Sequence, residues 1–457
     1  MFRWYQNAVV CYVYLADVSV RLNQAQEVLT SNIARSRWFT RGWTLQELLA
    51  PRSLEFFSGE WIRLGSKYDF THLLESITGI ERGFLCGDLL LEDASIAKRM
   101  SWAASRKTTK PEDMAYCLLG IFNITMSLLY GEGRHSFRRL QEQIIKRNTD
   151  LTIFAWDSPP GAPLAVQEFL GIFAPSPTAF SGSSNVQPFN DDFAEFLVTN
   201  KGILFSGNLP LRLLVWNGLD GPCDIYGLFL GADCSRDFDM GGIFLRKLGP
   251  GLFCRDGRFP LAGFWNVADI DQTGMLEDVS KFHVVTDPVV AHNAYSVYRR
   301  FALHIPVNKN FRIADIVPES LWDITDHLFL RPKPYSWCRY ETVLAVSLRA
   351  RVLGKEVQLV VLCDCRNVIP ILRIFELSRY SRAADIIFRG PQREMSVTFS
   401  ELEKREPELA MIKNEVDITV ESKVTRISVS AVQDTLKVPG DIPIFSIALK
   451  VGELSVS

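Results

Sequence analysis

Hydrophobic residues recur with two different periods, and the change falls near residue 150. Before it, short apolar runs alternate with helical spacings. The run over 8–16 is rich in β-forming residues and predicts a strand covered on both faces. Residues 54–57 and 61–64 predict two further strands around a turn at Ser58 and Gly59, and 69–77 predicts a helix. Strand, helix, strand and helix in this order predict a parallel sheet with crossover connections.

One short helix in this region has two sharply different faces. At about 100° per residue, the segment 43–50 places Leu45, Leu48 and Leu49 on one side. Trp43 and Glu47, four residues apart, lie together on the other side. Proline at position 51 ends the helix. Because the leucines require a core, we expect Trp43 and Glu47 to face solvent, a cleft or another chain.

Residues 81–150 are expected to be mainly helical. Thr109 and Glu112 form a capping-box pattern, which predicts a helix with an apolar face over 115–122. A tight loop is predicted where two glycines flank Glu132. A second helix is predicted by four apolar residues at helical spacing, Phe137, Leu140, Ile144 and Ile145.

Beyond residue 150 the hydrophobic period becomes two. The proline-rich stretch 158–163 is a candidate linker, and 175–188 is a second loop-rich segment. Alternating apolar residues over 344–352, 416–420 and 445–451 predict an antiparallel sandwich or barrel. The predicted division is a C-terminal part of an α/β domain, its helical extension, and a β-rich region that can hold two sub-domains: 1–80, 81–150 and 151–457.

Composition narrows the class of protein. With 47% hydrophobic and 22% charged residues over 457 positions, the chain has the composition of a globular protein. A net charge of -2 predicts neither a nucleic-acid-binding nor an anionic membrane-binding surface. No apolar run is long enough to cross a bilayer. The nine cysteines are scattered without zinc-type spacing, so we expect reduced thiols in the cytoplasm and no metal or cofactor.

Several motifs in order resemble one protein family. The segment 36–48, Ser-Arg-Trp-Phe-Thr-Arg-Gly-Trp-Thr-Leu-Gln-Glu-Leu, resembles the end of the heterokaryon incompatibility (HET) domain of filamentous fungi. The flanking segments 1–18 and 99–133 resemble its neighbours in that domain. The resemblance covers about the first third of the chain. It implies a role in non-self recognition linked to programmed cell death, with protein partners or self-association.

The family also implies a fold and a candidate chemistry. HET domains are similar to Toll/interleukin-receptor (TIR) domains, some of which cleave NAD+, and whose motif Ser-x-Trp-Cys-x-x-Glu-Leu carries the catalytic glutamate. Here Trp43, Glu47 and Leu48 match that spacing, with Thr44 in place of the cysteine. The resemblance thus implies Glu47 as catalytic residue, Trp43 as a substrate-binding wall, and NAD+ as a substrate. It also implies an incomplete TIR- or flavodoxin-like parallel sheet, because the family's first strands have no counterpart before Met1.

Each candidate residue has a plainer interpretation. Glu47 is equally compatible with a solvated carboxylate on an exposed helix, and Trp43 with the anchor of a non-catalytic interaction module. An inactive truncated paralogue is a third alternative. Glu132 is either near a ligand or simply in a loop between helices. Two arginines and a lysine around Trp102 indicate either phosphate contacts or the basic rim of an amphipathic helix: Arg99, Arg106 and Lys107.

Overall fold

The computed structural model places an α/β region first and β-rich regions after it, as predicted. The chain divides into two compact units. The first comprises Met1–Arg212, Tyr226–Leu245 and Cys254–Pro288, and the second comprises Leu213–Ile225, Arg246–Phe253 and Val289–Ser457. The residues described are 1–20, 25–158, 169–188, 195–206, 211–213, 225–233, 239–249, 251–257, 262–264, 281–287, 289, 302–305, 310–323, 327–329, 343–364, 369–389, 399–420, 423–436 and 442–454.

A small mixed sheet forms the centre of the α/β region. Its strands β1 (Cys11–Tyr14) and β2 (Leu54–Phe57) pair in parallel, which confirms the predicted crossover between them. Strand β3 (Arg63–Ser66) pairs with β2 antiparallel, because the connecting turn is too short for a crossover. The expectation that β1 is covered on both faces was wrong. Val13 is buried, but Tyr12 is 63% exposed, so only one face of this strand packs against a core.

Helices precede, connect and follow these strands along the chain, and the last of them ends at residue 145. The predicted apolar face of the last one, Phe137, Leu140, Ile144 and Ile145, is buried. Four 3₁₀ turns connect the elements, at Arg37–Thr40, Leu91–Asp93, Leu151–Phe154 and Pro177–Phe180. The helices are α1 (Phe2–Gln6), α2 (Gln26–Ala34), α3 (Thr44–Leu49), α4 (Thr71–Thr78), α5 (Arg82–Cys86), α6 (Ile96–Ser101), α7 (Asp113–Tyr116) and α8 (His135–Ile145).

The predicted capping box at Thr109 and Glu112 does not form. The Glu112 carboxylate instead accepts hydrogen bonds from the amides of Gly131 (2.8 Å) and Gly133 (3.0 Å). Helix α7 consequently has no side-chain cap and is only four residues long. The chain continues to residue 122 through tighter turns rather than through the longer helix that the apolar pattern predicts.

The middle of the chain forms a nine-stranded sheet in which β6 pairs antiparallel with both β5 and β12. The linker candidate 158–163 lies outside the described residues except for Ser158. The second loop-rich segment contains one 3₁₀ turn and a two-residue strand. The strands are β4 (Val186–Gln187), β5 (Glu195–Thr199), β6 (Gly202–Ser206), β7 (Leu211–Leu213), β8 (Ile225–Asp233), β9 (Asp239–Gly249), β10 (Leu252–Arg255), β11 (Ala262–Phe264) and β12 (Lys281–Val284).

Two sheets share one core in the C-terminal part, as predicted for a sandwich. The four-stranded sheet contributes Leu344 and Leu359 to that core, and the six-stranded sheet contributes Ile427 and Ile447. Most pairs are antiparallel, but β13 pairs in parallel with β22. The strands are β13 (Leu303–His304), β14 (Phe311–Val317), β15 (Trp322–Asp323), β16 (Leu328–Phe329), β17 (Val343–Val352), β18 (Lys355–Asp364), β19 (Ile371–Glu376), β20 (Glu415–Val420), β21 (Lys423–Leu436) and β22 (Ile442–Leu454).

Helices cover the outer face of the four-stranded sheet. Val360 and Leu362 on that face pack in one cluster with Ile387 and Leu402. The helices are α9 (Ser381–Phe388) and α10 (Phe399–Arg405), with 3₁₀ turns at Glu319–Leu321, Leu377–Tyr380 and Pro407–Met411. The division at residues 80 and 150 stays a prediction. Within the described ranges, no helix has the length and apolar character needed to span a membrane.

Candidate functional site

Helix α3 carries both candidate site residues and is held by its apolar face. Leu45 and Leu48 are completely buried, and Leu49 is nearly so. Trp43 occupies the N-cap position, and Glu47 lies one turn further along. Both side chains are only partly exposed. The amphipathic pattern therefore places the two residues on the side of the helix away from the leucine core, which is the geometry that the sequence predicts.

Buried polar groups fix the N-terminal end of α3. The Thr44 hydroxyl donates to the Trp38 carbonyl oxygen (2.6 Å) and accepts a hydrogen bond from Nη1 of Arg106 (2.9 Å). The same Arg106 nitrogen donates to the carbonyl oxygen of Arg41 (2.9 Å). Arg106 is almost fully buried, and this burial lowers its pKa to about 10. The arginine thus connects the site helix to a segment some sixty residues later in the chain.

Close backbone packing completes this attachment. The Gly42 amide donates to the Lys107 carbonyl oxygen at 2.9 Å. A β-carbon at position 42 would lie 2.5 Å from the Thr108 side chain, so only glycine fits there without displacement. The Gln46 side-chain amide donates to the carbonyl oxygen of Cys117. Both contacts bring α3 against residues 107–117, which the sequence places far away.

The interpretation of Arg99 and Arg106 as an exposed basic rim was wrong. Arg99 is 4% exposed, and its guanidinium lies over the Phe122 ring with 4.9 Å to the centroid. Its Nη1 donates to the Ile121 carbonyl oxygen. Both arginines therefore stabilise the interior of this region. They are hidden from a phosphate or nucleic acid at the surface.

A buried lysine holds the C-terminal end of α3. Nζ of Lys67 donates to the carbonyl oxygens of Leu48 (3.0 Å) and Pro51 (2.8 Å), which have no partner inside the helix. The Lys67 backbone amide donates to the Leu54 carbonyl oxygen, which fixes its position beside β2. Burial lowers the pKa of Lys67 to about 8, while the nearby thiols of Cys11 and Cys86 act in the opposite direction.

The side of α3 that carries Glu47 contacts the N-terminal helix α1. The Tyr5 hydroxyl donates to Oε1 of Glu47 at 3.3 Å. Partial burial, followed by the negative charge of Glu47, raises the pKa of Tyr5 to about 12. The pKa of the half-buried Cys11 thiol is also raised, mainly by burial and then by Glu47. Among the described residues, no Lys or Arg nitrogen lies within 4.0 Å of the Glu47 carboxylate as an ion-pair partner.

This arrangement leaves a carboxylate that can act on a ligand. One Glu47 oxygen accepts from a neutral phenol, and among the described residues no salt bridge neutralises the carboxylate charge. Trp43 is available one helical turn away as an apolar wall. Within the part of the chain that is described, no group of three or more His, Cys, Asp or Glu side chains is arranged to hold a metal ion.

Glu132, by contrast, is fully engaged in its own loop. Its carboxylate accepts from the Tyr116 hydroxyl (2.8 Å) and pairs with Nη1 of Arg139 (2.9 Å). The Tyr116 hydroxyl also accepts from the Leu129 amide at 2.7 Å. Because Glu112 holds the two glycine amides, this loop is closed by its own hydrogen bonds, which favours the interpretation as a structural connection between helices.

An exposed aromatic cluster lies on the solvent face of the small sheet. The Tyr14 and Trp61 rings stack with centroids 4.6 Å apart. Phe57 contacts Trp61 at 6.0 Å and meets Tyr12 edge-on at 5.5 Å. Trp61 is 63% exposed, like Tyr12. Sequence reasoning missed this cluster because the apolar run over 8–16 was taken to be buried.

Sequence reasoning also missed Tyr5 and Lys67. Neither belongs to a motif with a characteristic spacing, and each reaches α3 from a different element. The sequence signal for Lys67 is limited to its place shortly after a predicted strand. No comparable signal identifies Tyr5, because its contact with Glu47 spans 42 positions.

Comparison with known proteins identifies a relative for part of the chain. Over 149 residues, which make up 32% of this chain, the sequence is 47% identical to the vegetative incompatibility protein HET-E-1 of Podospora anserina. This chain is thus homologous, over about a third of its length, to a fungal vegetative incompatibility protein. The resemblance to heterokaryon incompatibility proteins is confirmed at that level. The matched segment is 11% of the length of HET-E-1.

A second match falls after the motif region. Residues 135–170 match the family described as "Domain of unknown function (DUF8212)". This segment begins with α8 and includes the 3₁₀ turn Leu151–Phe154. Within it, the carbonyl oxygens of Phe154 and Trp156 accept hydrogen bonds from the fully buried guanidinium of Arg255. The described residues of this segment, 135–158 and 169–170, therefore belong to the first compact unit.

Proposed function

We propose that this chain acts in fungal vegetative incompatibility, as a non-self recognition protein whose activation leads to programmed cell death. The observation that carries the proposal is the 47% identity with HET-E-1 over 149 residues. An identity this high over such a length implies a shared domain, and a shared domain supports a shared role. Its site of action is proposed to be the cytoplasm, with protein partners or self-association.

The proposed chemistry is cleavage of NAD+ at the nicotinamide–ribose bond by an N-terminal region of TIR-like fold. Breaking this bond develops oxocarbenium character on the ribose, and a nearby carboxylate stabilises the positive charge. Nicotinamide leaves from a cationic ring, so no acid is needed to protonate it. Glu47 is the proposed catalytic residue, because its carboxylate is partly exposed and carries no salt bridge among the described residues.

Two features of the structure support this choice. Helix α3 is attached at both ends by buried groups, Arg106 and Lys67, so that the Glu47 backbone has a fixed position. A rigidly supported carboxylate is what electrostatic stabilisation of a transition state requires. Trp43 is proposed to contact the nicotinamide or adenine ring from its place one turn away.

Nicotinamide release tests the enzymatic proposal. Purified full-length chain is incubated with NAD+, alone and with a crowding agent that promotes self-association, and the product is quantified by liquid chromatography. We expect Glu47→Gln to lower the rate by about 100-fold or more. The matched control is Glu27→Gln, since Glu27 is an exposed glutamate on the neighbouring helix α2 and should leave the rate unchanged. If the unaltered protein releases no nicotinamide, or if Glu47→Gln releases as much, the enzymatic proposal is refuted.

The aromatic cluster on the small sheet favours a second candidate, a non-catalytic interaction module. Tyr12 and Trp61 are large aromatic side chains that are mostly exposed, and such residues are common anchors of protein interfaces. On this alternative, Trp61→Ser abolishes self-association in sedimentation and the death of fungal cells that express the chain, whereas Glu47→Gln leaves both intact. Loss of cell death in Glu47→Gln with self-association intact supports the enzyme instead.

A further inference from the structure

The N-terminal helix α1 brings one side chain to the candidate catalytic carboxylate. The Tyr5 hydroxyl reaches Oε1 of Glu47 at 3.3 Å, and α1 packs directly on α3. None of the five residues of α1 is fully buried, so this helix contributes little to the core. A polar contact made by such a lightly packed element is therefore its main connection to the site.

A close contact at the start of α1 fixes where Tyr5 lies. Phe2 packs against Gly120, and a β-carbon at position 120 would come within 2.2 Å of the Phe2 β-carbon. At the other end of the helix, the Ala8 amide donates to the Tyr5 carbonyl oxygen at 3.2 Å and leads the chain into β1. The position of the phenol thus depends on a glycine that does not itself touch Glu47.

The Tyr5 hydroxyl stays protonated and can therefore donate a hydrogen bond at neutral pH. Burial, together with the charge of Glu47, raises the pKa of Tyr5 to about 12, so its hydroxyl keeps the proton at neutral pH. A group that holds its proton so firmly is a poor general acid near neutrality. It is instead suited to donating a hydrogen bond to the Glu47 carboxylate.

We infer that Tyr5 is a positioning residue: its hydrogen bond orients the Glu47 carboxylate and leaves the second oxygen to face the ribosyl cation. A donor to one carboxylate oxygen fixes the plane of the group. This inference rests on the proposed NAD+ cleavage. It assigns a role to α1, which the motif resemblance leaves without one.

The first test compares kcat and KM for nicotinamide release. We expect Tyr5→Phe to lower kcat about tenfold with little change in KM, because the carboxylate loses the donor that orients it. Gly120→Ala should produce the same loss in kcat by displacing Phe2 and α1. Tyr68→Phe, which alters an exposed tyrosine just after β3, is the control and should leave kcat and KM unchanged.

The second test does not depend on activity. Tyrosine 13Cζ chemical shifts are followed against pH by NMR, with the Tyr5 signal assigned from its loss in Tyr5→Phe. We expect Glu47→Gln to lower the Tyr5 pKa, since the neighbouring charge is gone. An unchanged Tyr5 titration shows that the contact is absent and overturns the inference.

The two tests separate failure of the inference from failure of the proposed function. A normal rate in the unaltered protein, with an unchanged kcat in Tyr5→Phe, overturns the positioning role alone. Absence of nicotinamide release from the unaltered protein overturns the proposed function and this inference together, whatever the Tyr5 titration shows.

Discussion

Replacing Lys67 with methionine should change how the stability of the N-terminal region depends on pH. Lys67 is 2% exposed, and its ammonium donates to two carbonyl oxygens but has no carboxylate partner among the described residues. Burial therefore lowers its pKa from 10.5 to about 8. Methionine keeps nearly the same volume and removes the titrating group. The two carbonyl oxygens lose their donor, but that cost does not vary with pH.

The sign and size of the effect follow from linkage. Below about pH 8 the lysine is charged in both the folded and the unfolded chain, so the whole cost of burying the charge opposes folding. Between about pH 8 and 10.5 the folded chain has released a proton that the unfolded chain retains, and stability rises with pH. At about 1.4 kcal/mol per pKa unit, the free energy of unfolding should gain about 2 kcal/mol between pH 8 and pH 10.

Urea denaturation of the full chain and of Lys67→Met, repeated between pH 8 and pH 10, measures this gain in the free energy of unfolding. Tyr5 and Cys117 also affect stability in this range, because their pKa values are about 12 in the folded chain against ordinary values of 10.0 and 9.0. Their contributions cancel in the difference between the two proteins. The transition to follow is the one that a core truncation in helix α3, Leu48→Ala, displaces. A difference that is flat from pH 8 to pH 10, or that falls, refutes the picture of a buried, weakly compensated ammonium.

Three further substitutions test how α3 is held, each by urea denaturation. Leu48→Ala should destabilise the N-terminal region by about 3 kcal/mol, because it empties a fully buried site; a cost below about 1 kcal/mol would contradict the core assignment. Arg106→Met should also cost about 3 kcal/mol, since the oxygens of Arg41, Thr44 and Trp102 lose their donor, whereas the exposed Arg41→Met should change stability by less than about 0.5 kcal/mol. Gly42→Ala should cost about 1–3 kcal/mol through the clash with Thr108, and equal stability would show that the segment can shift.

Local patterning determined most of the elements. The helical spacing of Leu45, Leu48 and Leu49 places α3 and its exposed side correctly, because burial along one helix depends only on residues a few positions apart. The alternating runs beginning at Leu344 and Val416 likewise become strands β17 and β20. The TIR-like fold and the roles of Glu47 and Trp43 stay predictions.

Tertiary packing decided what surrounds those elements. Arg106 reaches Thr44 across 62 positions, Gln46 reaches Cys117 across 71, and Tyr5 reaches Glu47 across 42. No periodic pattern links residues so far apart, since a hydrophobic period reports which side of an element is buried and not what it is buried against. The sequence by itself therefore determined that Glu47 lies on the outer side of its helix. Only the folded chain decided that a phenol lies over it and that two buried cations hold the helix beneath it.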